Sequence, residues 1–581
     1  MEDKKTKKIS FKKILRFLLF VLAGFSAAAL IFFLVTHKII FDGIDLISKT
    51  SRNDVYNDEY DYGEVHLTKE QMLTDFEYFY DHLYTDSLVR EQAEKYLDID
   101  YSALHDSYRE RIEDCKDEFE FFSIMTSLNA KLPGAHDYVS APGRDMSDTT
   151  GFPLSYELVT DEVVNTNFAY YSQFEDRMFS YYEKYIYMVY LNGDYVAIYE
   201  GFNEEELIPG IENAKLVSLN GKEVKDVLPE LDTIHKFSYD AMNDSMYVHE
   251  LIFNDGVGNK YDAVLQLADG TLVNKELYCS CEFTTALYFR DRRYPDHYAA
   301  DSETETSETE TTETASEEET DSEVSVSRCY SIQKDPERNL VIVSIAYCDS
   351  FDSEYAFNDI TEALDEVDAK SVIIDNRSNK GGNCNFVIKG ICPALFNYDY
   401  KLISYARSPI NDMTDLLYGN SFYKTFFEHG LKKHIDCYEY YEDFSFKGKA
   451  KKKYDIYVLN GNSTFSSGDI LAGIMSEQPD VILIGNNTGG EGFSGHPLNY
   501  YLPESKIPYT MAFSVSEKFP DDNYLGIVPD VYAANGWENW LVRNELKKSL
   551  GSDGNILSYE ARMIWDDVMI EAVNMIDSKN Q

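Results

Sequence analysis

Basic residues are scarce in this 581-residue sequence: 53 Lys and Arg stand against 102 Asp and Glu, for a formal net charge of −49. Nucleic-acid binding depends on clustered Lys and Arg that neutralise phosphates, so a chain this acidic excludes that class of partner. Cysteine is sparse as well. Cys115, Cys279, Cys281, Cys329, Cys348, Cys384, Cys392 and Cys437 are scattered without a framework pattern. Cys279 and Cys281 are the one close pair, and with no second pair or nearby histidine cluster they do not make a zinc site. Buried free thiols, with one disulfide as the alternative, are expected, and no metal or cofactor.

The one dense basic run is Lys4, Lys5, Lys7, Lys8, Lys12, Lys13 and Arg16, directly before an apolar stretch from Phe17 to Val35. That stretch is about 19 residues, close to the roughly 20 a helix needs to cross a bilayer. Ala23, Ala27, Ala28 and Ala29 are small residues of the kind signal cleavage uses, but the apolar run continues past them to Val35, which favours an uncleaved anchor. Basic residues before the span put residues 1–16 in the cytoplasm as a tail and everything after the 17–35 anchor outside.

A chain of this length exceeds what one core usually organises, so two or more domains are expected. Residues 36–67 read as a polar spacer. In the 68–132 lead-in, Met72, Phe76, Phe79 and Leu83 recur at helical spacing, and Thr68 with Gln71 makes a capping box. The helical pattern breaks at Pro133 and Gly134. Residues 133–298 read as a β-rich module, with hairpin turns at Asn192-Gly193 and Asp269-Gly270 and a further turn at Asn220-Gly221. Residues 301–323 alternate acids with Ser and Thr and cannot bury a core, so a disordered insertion over 299–326 is expected. From 327 to 535 strands alternate with helices, an α/β core whose loops at one end carry chemistry, and 536–581 form a C-terminal helical segment.

Two strand-to-loop junctions in that core carry candidate chemistry. In YDIYVLNGNSTFSSGDILAG a buried strand ends in a small polar loop and a helix begins near Ser467. A serine at the first turn of a helix lies beside unpaired amides and the positive end of the dipole, a suitable place to develop an oxyanion. The same residues, Ser466, Ser467 and Asp469, would also serve simply as helix caps. In SVIIDNRSNKGGN a second buried strand runs into Gly381 and Gly382, whose missing side chains allow amides to approach a substrate carbonyl.

Taken in order, four segments resemble the C-terminal processing (tail-specific) proteases. IIDNRSNKGGN is similar to that family's Asp-Leu-Arg-x-Asn-x-Gly-Gly, NSTFSSGDILAG to its Thr-Ala-Ser-Ala-Ser-Glu, VILIGNNTGGEG to its Gly-Glu-x-Thr-x-Gly, and GIVPD to its Gly-Ile-x-Pro-Asp. The resemblance implies a crotonase-like ββα spiral core, a nucleophile at Ser466, and an oxyanion hole from the amides of Ser467 and of Gly381 or Gly382. Asp469 takes the place of the family's Glu and is expected to stabilise the helix. The family's general-base lysine has no counterpart, because the matching tripeptide is Gly490-Glu491-Gly492. A carboxylate cannot replace it without a different proton-transfer scheme.

KLPGAHDYVSAP resembles the Asp-Gly-His-Thr segment of the tricorn-type branch, which nominates His136 as base, since imidazole can accept a serine proton at neutral pH. That branch's orienting acid precedes the Gly-Val-x-Pro-Asp segment, which nominates Asp522 (with Asp521 beside it), while Glu491 is a second acid in the active-site loop region. IENAKLVSLNGKEVKDVLPEL resembles part of a PDZ domain, a module that adds a peptide strand to a sheet edge. The expectation is a membrane-anchored extracytoplasmic serine endopeptidase acting on protein or peptide substrates. The alternative is a catalytically inactive peptidase-like surface module that binds peptides or proteins.

Overall fold

The computed structural model describes residues 61–86, 100–131, 136–140, 161–293, 328–411, 414–415, 418, 429–493, 497–512, 515–516, 525–551 and 554–580. The basic tail, the 17–35 anchor, the Pro133-Gly134 break, the 299–326 insertion, Asp521 and Asp522 lie outside them. Among the described residues no helix is long and apolar enough to cross a membrane.

The lead-in forms helices Lys69–Asp86, Tyr101–Asp114 and Glu118–Ala130. Met72, Phe76, Phe79 and Leu83 are all buried, as the stripe requires. The capping box is reciprocal: Thr68 N donates to Gln71 Oε1 at 3.0 Å and Gln71 N to Thr68 Oγ1 at 3.3 Å. Helices Asp161–Met178 and Cys281–Arg293, which flank the β-rich stretch, contribute Tyr170, Phe174, Ala286 and Phe289 to the same helical core.

Between those flanking helices a closed barrel forms from strands Tyr185–Leu191, Asp194–Ala197, Lys215–Leu219, Asn259–Gln266, Leu272–Cys279 and Glu250–Asn254, in that spatial order. Asn192 and Gly193, at φ 45° and 94°, make the tight turn that the right-handed strand twist favours. A separate hairpin, Phe237–Asp240 paired with Ser245–Val248, interrupts the barrel's strand sequence.

The α/β core is a six-stranded sheet ordered Tyr330–Asp335, Leu340–Ile345, Ser371–Asp375, Asp455–Asn460, Val481–Gly485 and Val531–Tyr532; the first pair is antiparallel and the rest parallel. Alternate side chains serve opposite faces. Val341, Val343, Val372, Ile374, Ile456 and Val458 pack on Ile360, Leu364, Leu471 and Ile474, while Leu340, Ile342, Ile373, Tyr457 and Leu459 pack on Val568, Met569, Ala572 and Val573 of helix Asp567–Lys579. Both faces are covered, which is why these strands read as continuous apolar runs.

All eight cysteines are free thiols.

Candidate active site

Three adjacent parallel strands, ending at Asp375, Asn460 and Gly485, release their loops at one edge of the sheet. Ligands and chemistry gather at the carboxyl ends of such strands. The three loops are laced together by backbone bonds: Phe465 N donates to Asn379 O at 2.9 Å, Ser466 N to Gly490 O at 3.1 Å, and Gly489 N to Thr464 O at 2.7 Å.

Ser466 precedes helix Ser467–Ser476 with φ 54° and ψ −120°, and its side chain makes no capping hydrogen bond. A non-glycine residue in this region is strained by roughly 1–3 kcal/mol and persists only where its surroundings impose it. The simple helix-cap role is therefore not the one Ser466 plays. Its residue is half-buried, whereas Ser467 is buried and its Oγ donates to Gly382 O at 2.6 Å.

Gly381 and Gly382 take φ 93° and 120°. A Cβ on Gly381 would lie 2.6 Å from Ser466 Cβ and 2.9 Å from Ser467 N, so the two loops touch where a side chain would prevent it. The Gly381 amide already donates to Asn379 Oδ1 at 3.0 Å. Gly382 is exposed, and among the described residues its amide has no acceptor.

His136 arrives from a different direction. It precedes the short strand Tyr138–Val139, which pairs with Thr510 and Tyr509 of strand Pro508–Ala512, and its carbonyl accepts from Thr510 Oγ1 at 2.7 Å. The imidazole packs on the Phe465 ring, 4.7 Å between centroids, one residue from Ser466. Its Nδ1 stands 2.6 Å from Glu491 Oε2, and the same oxygen accepts the His136 backbone N–H at 2.8 Å. The contact is short, but His136 Nδ1 meets no acceptor in hydrogen-bond geometry among the described residues, so it is not an aligned hydrogen bond. Glu491 is buried, 1% exposed, and itself has φ 61°.

Asp469 sits in the first turn of the helix, fully buried, accepting from Thr488 Oγ1 and, at 3.2 Å, from Gly492 N. It braces the loop that carries Glu491, from both sides of that residue. Thr488 is in turn bonded to Ile527, N to O at 3.1 Å and Oγ1 from N at 2.6 Å, so the GIVPD segment supports the same loop.

Of the residues nominated from sequence, Ser466, Ser467, Gly381, Gly382, His136 and Glu491 converge here, and Asp522 is outside the described residues. Sequence reasoning did not nominate Phe465 or Asn379. Asn379 stood inside the quoted Asp-Leu-Arg-x-Asn-x-Gly-Gly pattern and so had a signal; Phe465, one residue before Ser466, had only its neighbour.

A buried quartet anchors the site from below. Arg377, two residues beyond its strand, pairs with Asp375 at 2.9 Å and with Asp566 at 2.7 Å, while Arg562 reaches both acids at 2.5 and 2.9 Å. Burial alone would raise the Asp375 carboxyl, but Arg377 and Arg562 hold it down at about 2. The C-terminal helices are thereby tied to the root of the 376–382 loop.

Residues 342–533 match the model of peptidase family S41. No curated protein matches the sequence. Among solved structures, mature CPAF in complex with lactacystin is similar at 12% identity and TM-score 0.45, over 88% of this chain and 99% of that one. The photosystem II D1 C-terminal processing protease is similar at 12% identity and TM-score 0.34 over 80% and 94%, and the tricorn protease at 11% and 0.31 over 88% and 37%. These likenesses are too remote to carry weight individually. The matched segment holds the three strand ends and all three loops of the site, and over residues 342–533 the chain is similar to the serine-type peptidases of family S41, the family of the C-terminal processing proteases.

Proposed function

We propose that the protein is a serine endopeptidase in which Ser466 attacks the scissile carbonyl and His136 accepts its proton. Glu491 holds the imidazole and stabilises the imidazolium that forms, and the amides of Ser467 and Gly382 receive the oxyanion. The observation that carries this reading is His136 lodged between Phe465 and Glu491, one residue from a serine held at φ 54° with no capping bond. With Nδ1 facing Glu491, Nε2 is the nitrogen left to take the serine proton. Gly382 is preferred to Gly381 as donor because the Gly381 amide is engaged by Asn379.

The substrate is a protein or peptide. The basic tail and apolar 17–35 stretch support anchoring in the cell membrane with the peptidase outside; the barrel that holds the PDZ-like segment is closed and offers a peptide no free sheet edge, so substrate strand addition there is not part of the proposal. The test is fluorophosphonate labelling of the purified protein beside cleavage of an unstructured protein substrate. Wild type labels and cleaves, while Ser466→Ala does neither and His136→Ala is reduced to background. Full activity in Ser466→Ala would refute the assignment, and an inert wild type would turn the reading to a peptide-binding module.

A further inference from the structure

The loop that carries Glu491 is fastened at its root to the inserted hairpin of the barrel, 246 positions away in sequence. Asn486 and Asn487 follow strand Val481–Gly485 directly, and both are buried. Buried amides need partners, and the hairpin supplies them. Asn487 Oδ1 accepts from Ala241 N and its Nδ2 donates to Tyr239 O, each at 2.9 Å. Asn486 Nδ2 donates to Asp240 Oδ1, also at 2.9 Å. Three consecutive residues of the hairpin thus hold two consecutive residues of the loop.

Asp240 is the joint between them. It is fully buried, and four donors fill the acceptor positions of its carboxylate. Oδ1 takes Asn486 Nδ2 and, at 3.0 Å, Asn243 N; Oδ2 takes Tyr190 OH at 2.6 Å and Asn243 Nδ2 at 2.9 Å. Tyr190 belongs to barrel strand Tyr185–Leu191, and its ring stacks on Tyr247 of the hairpin's second strand, 4.2 Å between centroids. The turn bonds to Asn243 and the hydroxyl of Tyr190 would be enough to seat the hairpin on the barrel. The fourth bond, to Asn486, leads elsewhere. Three residues after Asn486, Gly489 N donates to Thr464 O; then Gly490 O accepts from Ser466 N, and the next residue is Glu491.

We propose that Asp240 is a positioning residue of the active site: through Asn486 it ties the barrel to the loop that sets Glu491 against His136 and Gly490 against Ser466. The proposal rests on the Ser466, His136 and Glu491 reading above. The run from Asn486 to Glu491 has no helix or strand of its own, so the bonds made along it fix where the carboxylate stands. Small displacements of a catalytic group are costly in rate. Thr488, bonded to Asp469 and Ile527, braces the same run from the other side, so freeing Asn486 shifts the loop and does not release it. The barrel is therefore part of the catalytic unit.

The experiment compares wild type with Asn486→Ala, Tyr190→Phe and the two together, on the full chain. It measures steady-state cleavage of an unfolded protein and the rate of fluorophosphonate labelling, at a temperature where melting curves show every variant folded. Asn486→Ala cuts the loop from Asp240 and lowers kcat and labelling about tenfold, with KM within about twofold of wild type. Tyr190→Phe removes one hydroxyl on the barrel side, touches no residue of the loop, and lowers both rates about threefold. The double variant is no slower than Asn486→Ala, because with the loop already cut the barrel has nothing to transmit. A purely structural role lowers melting temperatures and leaves turnover of the folded enzyme unchanged, and that result overturns the proposal. So does a loss confined to Asn486→Ala, or two losses that multiply in the double variant. If wild type neither labels nor cleaves, the peptidase reading fails by itself and amide hydrogen exchange decides this one. Both single variants must then exchange faster than wild type over residues 486–492 with strand Val481–Gly485 unchanged, and equal rates overturn the proposal.

Discussion

Replacing Glu491 by Gln is the sharpest probe of the site, because it changes charge at nearly constant shape. Gln keeps an oxygen able to accept the His136 backbone N–H, now made at 2.8 Å, so the loop and the imidazole should stay in place. What disappears is the negative charge whose oxygen lies 2.6 Å from Nδ1. With both charges delocalised, their centres are roughly 4 Å apart, and at an effective dielectric of about 20 the attraction is on the order of 4 kcal/mol. The side chain is buried, so solvent screening takes little of this; imperfect alignment takes some. An imidazolium forms only during attack, so the loss falls on kcat and amounts to about 10²–10³-fold, with KM little changed. The assay is steady-state cleavage of an unfolded protein at neutral pH, together with the rate of fluorophosphonate labelling, which reports the nucleophile without product release. Asp522→Asn is the comparison. A loss below about threefold in Glu491→Gln, with a loss of several hundredfold in Asp522→Asn, would refute the assignment of Glu491 as the orienting acid.

Ser466→Gly should abolish labelling and raise stability by about 1 kcal/mol, because glycine tolerates φ 54° without strain; unchanged denaturant midpoints would remove the strain argument. Gly381→Ala should reduce kcat at least about a hundredfold and destabilise the fold, since its methyl would meet Ser466 Cβ at 2.6 Å at a residue with φ 93°; a variant with normal turnover would show that the two loops are not in contact in solution. Asp375 has its carboxyl held down at about 2 by Arg377 and Arg562, so its contribution to stability is present above the unfolded value near 4 and is lost as pH falls towards 2. That contribution is on the order of 2 kcal/mol, and urea denaturation of Asp375→Asn should show a correspondingly weaker loss of stability over this acidic range than wild type. Arg562→Met should cost about 3–5 kcal/mol by leaving Asp375 and Asp566 under-compensated, and a midpoint within error of wild type would contradict that.

Local pattern was sufficient for much of this protein. The Met72, Phe76, Phe79 and Leu83 stripe, the Thr68–Gln71 box and the Asn192-Gly193 turn each depend on residues a few positions apart, and each is present as read. The strands of the core were legible because burial on both faces leaves an unbroken apolar run, and the site loops because they follow those strands directly. The helix-cap reading of Ser466 could not be separated from a functional one by sequence, since both place a serine before a helix; its φ of 54° and the lack of a capping hydrogen bond distinguish them.

Contacts between distant segments were another matter. His136 meets Glu491 across 355 positions because a two-residue strand pairs with Thr510 and Tyr509, and so short a strand has no periodicity to detect. Which acid faces the imidazole and which glycine amide is already engaged both depend on how separate segments dock. By itself the sequence determined the order of strands, loops and helices and the residue types at the strand ends, because these follow from side-chain burial along a few consecutive residues. The tertiary structure alone decided the company those residues keep, because charge pairing depends on distance in space, and that distance is set by packing between segments hundreds of residues apart.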